Sequence, residues 1–138
     1  MKIYLIGSLR NDKVPALGND LRDIGHGVFD DWFAAGPEAD DCWKNYEQNR
    51  GHTYMEALDG LAASHVYDFD RKHLFESDVG ILVLPAGRSG HLELGIFVGR
   101  GKKAYILLDD ESDRWDVMYR FAKVCKTKEE LFMELGEG

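Results

Sequence analysis

Apolar positions along this chain fall into two alternating kinds of segment: short continuous runs bounded by glycine or charge, and longer stretches in which apolar residues return every three or four positions. A continuous run suits a strand buried on both faces, whereas the wider spacing lays one stripe along a helix. Residues 3–6 form the first run and stop at Gly7-Ser8, which predicts a buried strand opening into a loop. Val14, Leu17, Leu21 and Ile24 then recur at offsets of three, seven and ten, a helical stripe ended by Gly25 and Gly27. Val28-Phe29 predicts a brief second strand. Residues 30–50 mix Asp30, Asp31, Asp40 and Asp41 with Trp32, Phe33, Trp43 and Tyr46 at little periodicity, and read as a long loop of the kind that often carries function.

Tyr54, Leu58 and Leu61, with Met55 and Ala62 beside them, predict a second helix ending near Ser64. After the short run His65-Val66-Tyr67, a further helix over 69–76 is expected to pack through Leu74 and Phe75. A strand at 79–84 follows. Leu92, Ile96 and Gly99 repeat at four and seven and predict a helix over 91–100, after which Gly101-Lys102 turns into an apolar strand at 104–108. A short helix over 116–121, a last strand at Val124-Cys125 and a helix opened by the capping-box pattern Thr127-Lys128-Glu129-Glu130 complete the chain, with Leu131, Phe132 and Leu135 inward.

This alternation predicts an α/β fold: a flavodoxin-like or Rossmann-like three-layer sandwich around a mostly parallel five-stranded sheet, in one domain spanning 1–138. Ligands of such sheets bind beyond the carboxyl ends of the strands, where the strand order reverses. In a five-stranded flavodoxin-like order that point lies between the loop at 7–10 and the loop at 85–90.

Composition narrows the class. With 138 residues and 44% hydrophobic content there is material for one core. The 17 Lys and Arg against 25 Asp and Glu leave a formal charge of −8, which excludes a nucleic-acid surface. Cys42 and Cys125 lie far apart without paired spacing, so neither a disulfide framework nor a zinc knuckle is indicated, and a reducing cytoplasm fits. The N-terminal apolar run is too short for a signal peptide, and no run approaches the roughly 18 to 20 apolar residues of a membrane span.

The segment running from Val79 through Pro85-Ala86-Gly87-Arg88-Ser89-Gly90 to Glu93 is the richest in chemistry: a buried strand, a glycine-bearing turn, then a helix carrying a carboxylate in its expected first turn. Helix-start N–H groups attract anions and a guanidinium adds a bidentate contact, so residues 87–90 can cradle a phosphate. Gly7, Ser8 and Arg10 offer a similar small turn and cation from across the crevice, although both loops can equally be tight turns with solvated arginines. Glu93 is either a solvated acid complementing the helix dipole, which favours its ionised form, or a nucleophile facing the crevice. Asp68-Phe69-Asp70 reads locally as a helix cap, and Asp78 as the polar end of the preceding helix. A second crevice-facing acid is nevertheless what cleavage of a glycosidic bond requires, one group attacking the anomeric carbon while the other assists departure. Trp32 can stack on a nucleobase or anchor its loop. No metal site is expected: His91-Leu92-Glu93 lacks the Pro-Cys-x-x-Cys of zinc deaminases, and His26, His52, His65 and His73 show no ligand spacing. The dinucleotide fingerprint is also missing after the first strand.

Taken together, several elements resemble the nucleoside 2-deoxyribosyltransferase family, which includes deoxynucleoside 5′-monophosphate N-glycosidases and nucleotide N-ribosyl hydrolases. They are Ile3-Tyr4-Leu5 with Gly7 on the opening strand, Asp70 followed by Ser77-Asp78 and an apolar strand, and Gly90-His91-Leu92-Glu93-Leu94-Gly95 with Gly101-Lys102 before the next strand. The resemblance implies Glu93 as the nucleophile on C1′ of the sugar, Tyr4 as the hydroxyl that holds it, and Asp70 as the group that binds the base and assists its protonation. It implies a nucleoside or nucleotide substrate, no cofactor or metal, and a homodimer or larger homo-oligomer in which a neighbouring subunit contributes a polar residue, a role for which Asp116 lies in about the right region. Six residues before the nucleophile, transferases of this family carry an acid and monophosphate hydrolases a serine, whereas this chain has Gly87 beside Arg88 and Ser89. The cation and the small hydroxyl favour a 5′-monophosphate and hydrolysis over base exchange. A non-catalytic nucleotide sensor and a glycosidase acting on NAD are the alternatives.

Overall fold

The computed structural model describes residues 1–109 and 115–137. Its five short runs are strands of one sheet: β1 Lys2–Ile6, β2 Gly27–Phe29, β3 Val79–Val83, β4 Lys103–Leu107 and β5 Lys123–Cys125. Their order is β2-β1-β3-β4-β5, and every pair is parallel, as the flavodoxin-like reading predicts. Around the sheet run α1 Lys13–Asp23, α2 Ala39–Asn49, α3 Tyr54–Leu58, α4 Leu61–Glu76, α5 Arg88–Gly99 and α6 Lys128–Glu137, with 3₁₀ turns at Asp31–Ala35 and Val117–Phe121.

Because side chains alternate along a strand, each central strand divides its residues between two cores. Ile3, Leu5, Val79, Ile81 and Val83 point to one face and meet Val14, Leu17 and Leu21 of α1 and Leu131 and Leu135 of α6. Tyr4, Ile6, Leu82 and Ile106 point to the other and meet Leu74 of α4 and Leu94 and Phe97 of α5. Gly80 lets α5 settle there, since a Cβ at that position would lie 2.5 Å from the Phe97 ring. Lys102 binds the α4 end to this layer: its Nζ donates to the carbonyls of Phe75 at 2.9 Å and Ser77 at 2.7 Å. Gly101 precedes it at φ +71°, the left-handed conformation that ends α5.

The structure corrects several sequence expectations. Residues 30–50 are not a loop but a 3₁₀ turn and the eleven-residue α2. Glu47 is the one residue α2 fully buries, so no apolar stripe marks it. Residues 61–76 form one unbroken helix, α4, where two helices and an intervening run were expected. Asp68 and Asp70 therefore lie inside α4 and cap nothing. Helix α5 starts at Arg88, three residues early, and its core side is Gly90, Leu94 and Phe97, while Leu92 is 76% exposed. Asp78 does not close a helix: its carboxylate accepts the Lys2 N–H at 2.9 Å, and its own N–H donates to Lys2 O at 2.8 Å, seating the start of β3 beside β1. The capping residues at the last helix behave nearly as expected, with Thr127 Oγ1 accepting from Glu130 N at 3.1 Å and Glu130 reaching back to Lys126 N at 2.8 Å. Among the described residues no helix is long and apolar enough to cross a membrane.

Candidate active site

Strand β1 is buried on both sides, and its pleat turns Tyr4 toward α4 and α5 with 1% of its surface exposed. A phenol that deep needs a partner for its hydroxyl. It finds one in Glu93, half-buried in the second turn of α5: Tyr4 Oη donates to Glu93 Oε2 at 2.6 Å. Among the described residues the other Glu93 oxygen makes no hydrogen bond. Asp70, half-buried on α4, is close enough for its charge to act on both Tyr4 and Glu93. Phe29 stacks on the Tyr4 ring at 5.1 Å, and His73 stacks on Phe29 at 4.2 Å, so aromatic rings wall the site on the β2 side.

Burial dominates the electrostatics. It lifts Tyr4 far above the ordinary phenol range, assisted by the Glu93 charge, so Tyr4 remains a hydrogen-bond donor at any physiological pH. Glu93 is pushed up to about 7, by burial first, against the Tyr4 hydrogen bond that pulls it down, with the Asp70 charge adding to the rise. Burial outweighs whatever the helix dipole adds in favour of the ionised form, and Glu93 sits in the second turn of α5, where dipole effects fade. Asp70 is raised too, again by burial, with His73 opposing.

The two turns flanking this group differ. In the turn at 87–90, Gly87 is the N-cap of α5 and has no side chain to cap the free N–H groups, and the first turn holds no acid. Arg88 and Ser89 are exposed, and among the described residues Arg88 has no hydrogen bond or ion pair. Gly90 is buried, and a Cβ there would lie 3.0 Å from Ile6 Cγ2 and 3.1 Å from Leu82 Cδ1, so packing accounts for this glycine. In the turn at 7–10 a Cβ on Gly7 would lie 2.9 Å from Val14 Cγ2, and Ser8 Oγ accepts the Arg10 N–H at 3.1 Å. Arg10 is exposed, 4.0 Å from Asp41.

Asn11, which sequence reasoning passed over, joins the two turns. It is 5% exposed, and its Nδ2 donates to Val83 O at 3.3 Å and Pro85 O at 3.4 Å while its Oδ1 accepts the Lys13 N–H at 3.1 Å. Trp32 serves as an anchor: its Nε1 donates to Leu5 O at 2.8 Å, and its half-buried ring packs against both cores. Asp116 is exposed and accepts the Met118 N–H at 2.9 Å, capping the second 3₁₀ turn. Among the described residues no group of three His, Cys, Asp or Glu is placed to hold a metal ion.

An all-parallel 2-1-3-4-5 sheet, with Tyr4 of β1 bonded to Glu93 of α5 beside the point where the strand order reverses, defines a flavodoxin-like α/β fold. Among solved structures, the fold is shared with the 2-deoxyribosyltransferase of the psychrotolerant bacterium Bacillus psychrosaccharolyticus, at TM-score 0.60 and 16% identity over 95% of this chain and 90% of that one. It is also shared with the CMP N-glycosidase BcmB of Clostridium botulinum, at TM-score 0.54 and 13% identity over 99% of both chains. No protein-family model and no curated protein sequence matches the chain.

Proposed function

We propose that this chain is an enzyme that cleaves the N-glycosidic bond of a nucleoside 5′-monophosphate, and less readily of a nucleoside, through a covalent ester on Glu93, with water favoured over a second base as acceptor. The observation that carries this reading is the Tyr4–Glu93 bond of 2.6 Å at the crevice, with Asp70 in the same electric field. Both structural neighbours are named for chemistry at a nucleoside's glycosidic bond, which supports the substrate class.

In the first step an ionised Glu93 oxygen bonds to C1′ as the C1′–N bond breaks and its electron pair leaves with the base. Asp70 is the acid that hands the departing base its proton. Tyr4 holds Glu93 in register, and the developing positive charge on the sugar restores the ionised state that burial disfavours. In the second step water attacks C1′, the ester opens back to carboxylate, and the water's proton returns to Asp70. Arg88, Ser89 and the open N–H groups of the turn receive the 5′-phosphate; Gly7, Ser8 and Arg10 flank it. The same reading includes a homo-oligomer, supported by the apolar surface that α4 and α5 leave exposed at Leu61, Tyr67 and Leu92.

The test is incubation with a panel of nucleosides, their 5′-monophosphates and NAD, with free base followed by chromatography. Base release from a monophosphate, abolished in Glu93→Ala, is the expected result. Tight nucleotide binding with no base release from any member of the panel would make the protein a sensor and defeat the proposal.

A further inference from the structure

His91 makes two hydrogen bonds at the crevice rim that the scheme above does not use. Its Nδ1 lies 2.7 Å from Gly87 O and its Nε2 lies 2.8 Å from Tyr119 Oη, while the two rings stack at 5.7 Å. A carbonyl oxygen only accepts, so Nδ1 carries the hydrogen; in the neutral ring Nε2 is then the acceptor and the Tyr119 hydroxyl donates to it. The Gly87 carbonyl also receives the backbone N–H of His91, but at 3.4 Å, so the imidazole makes the shorter of the two bonds. Gly87 has no side chain to anchor itself, and a Cβ there would meet nothing within 4 Å. The orientation of the first peptide of α5, and with it the aim of the N–H groups that follow, is thus held largely by one imidazole. Tyr119, on the 3₁₀ turn Val117–Phe121 before β5, packs against the α4/α5 core and braces that imidazole from outside the helix.

We propose that His91, kept in its Nδ1–H form by the Gly87 carbonyl and braced by Tyr119, is a positioning residue that fixes the turn at 87–90 in the shape that receives the substrate's 5′-phosphate, and so sets the preference for monophosphates over nucleosides. The identity of the ligand rests on the nucleotide-cleaving reading; the clasp itself does not. Truncating His91 removes the shorter of the two bonds to Gly87 O and leaves only the backbone one, without touching the Tyr4–Glu93 pair. Asn at this position can still donate to Gly87 O from nearly the place of Nδ1, whereas Ala cannot.

The experiment has two arms that need no turnover. In the first, ¹⁵N NMR of the ring in the whole protein reports the tautomer: Nδ1–H is expected, and Tyr119→Phe, which removes the donor to Nε2, moves the Nε2 signal while the hydrogen stays on Nδ1. In the second, calorimetry measures binding of ribose 5-phosphate and of ribose to the parent, His91→Ala and His91→Asn. The Ala variant is expected to lose about tenfold or more in affinity for ribose 5-phosphate with a smaller change for ribose, and the Asn variant to recover most of it. Kinetics add the matching split, with KM for a monophosphate raised more than KM for its nucleoside. An Nε2–H tautomer in the parent, equal ribose 5-phosphate affinity in parent and Ala variant, or an Asn variant as weak as Ala would overturn the proposal. Ribose 5-phosphate binding that depends on His91, in a protein that releases no base, would sink the glycosidase reading and leave the clasp standing.

Discussion

The two sides of the sheet are built to different standards. On the side of α1 and α6, α1 seats Val14, Leu17, Gly18 and Leu21 in eleven residues, and the strands contribute Ile3, Leu5, Ile81 and Val83, so the layer is closed and apolar. On the other side α4 runs for sixteen residues and fully buries Leu74 alone, while Leu61 stays 91% exposed. That looser seat is where Tyr4, Asp70 and Glu93 meet. Neighbouring residues of β1 feed the two sides, Ile3 and Leu5 one and Tyr4 the other, so a single strand supplies both a core and a site. The comparison teaches that the two acids sit on the side whose covering helix α4 buries least, and that burial there pushes both carboxyls above their ordinary range.

Glu93→Gln divides the two sides most sharply. Turnover is expected to fall about a thousandfold or more, since the amide cannot form the ester. The fold should gain stability at the same time: Glu93 is pushed from 4.5 to about 7 in the folded protein, so its penalty is absent below about pH 4.5 and complete above about pH 7. Thermal unfolding should show the variant ahead of the parent by about 2 kcal/mol at pH 8 and level with it at pH 4. Equal midpoints at pH 8 would show that the acid is not held against its ionisation.

Leu131→Ala, on the closed side, should do the reverse. Leu131 is fully buried, and its truncation is expected to cost about 3 kcal/mol in chemical denaturation, with KM and the pH profile unchanged in the folded fraction. A shifted pH profile would mean that the two sides are coupled. The smallest effect is expected from Tyr4→Phe. Losing the hydroxyl removes the hydrogen bond that pulls Glu93 down, so the acid limb of kcat/KM moves above about pH 7, and the roughly tenfold loss at neutral pH shrinks by pH 8.5. A limb that moves to lower pH would contradict the assigned donor.

The closed side is also the side that sequence describes best. Val14, Leu17 and Leu21 repeat as a helix must when one stripe is buried, and the strands read as unbroken apolar runs because both faces are covered. The order of the sheet followed from those. On the looser side periodicity misleads: Leu92 and Ile96 form a stripe as good as Leu94 and Phe97, yet the first faces out, and only the close approach over Gly80 selects the second. Asp70 looked like a cap because a local pattern cannot reveal that α4 runs through it. Glu93 and the acids at 68–70 stood out as candidate chemistry from the sequence itself, Tyr4 came only with the family resemblance, and the structure bonds Tyr4 to Glu93. Asn11 had no signal at all, since its partners are carbonyls more than seventy residues away. His91 did carry one, four residues after an N-cap glycine, but the tyrosine that completes it lies in another element.

The central claim is a covalent bond between Glu93 and a sugar. A nucleoside 5′-monophosphate bearing fluorine at C2′, which slows hydrolysis of the ester, should allow it to be trapped, and mass spectrometry of the digested protein should find the peptide holding Glu93 heavier by one fluorinated sugar phosphate, with stoichiometric release of base. Base release from the natural nucleotide together with an unmodified Glu93 peptide, or an adduct on any other residue, would contradict the account.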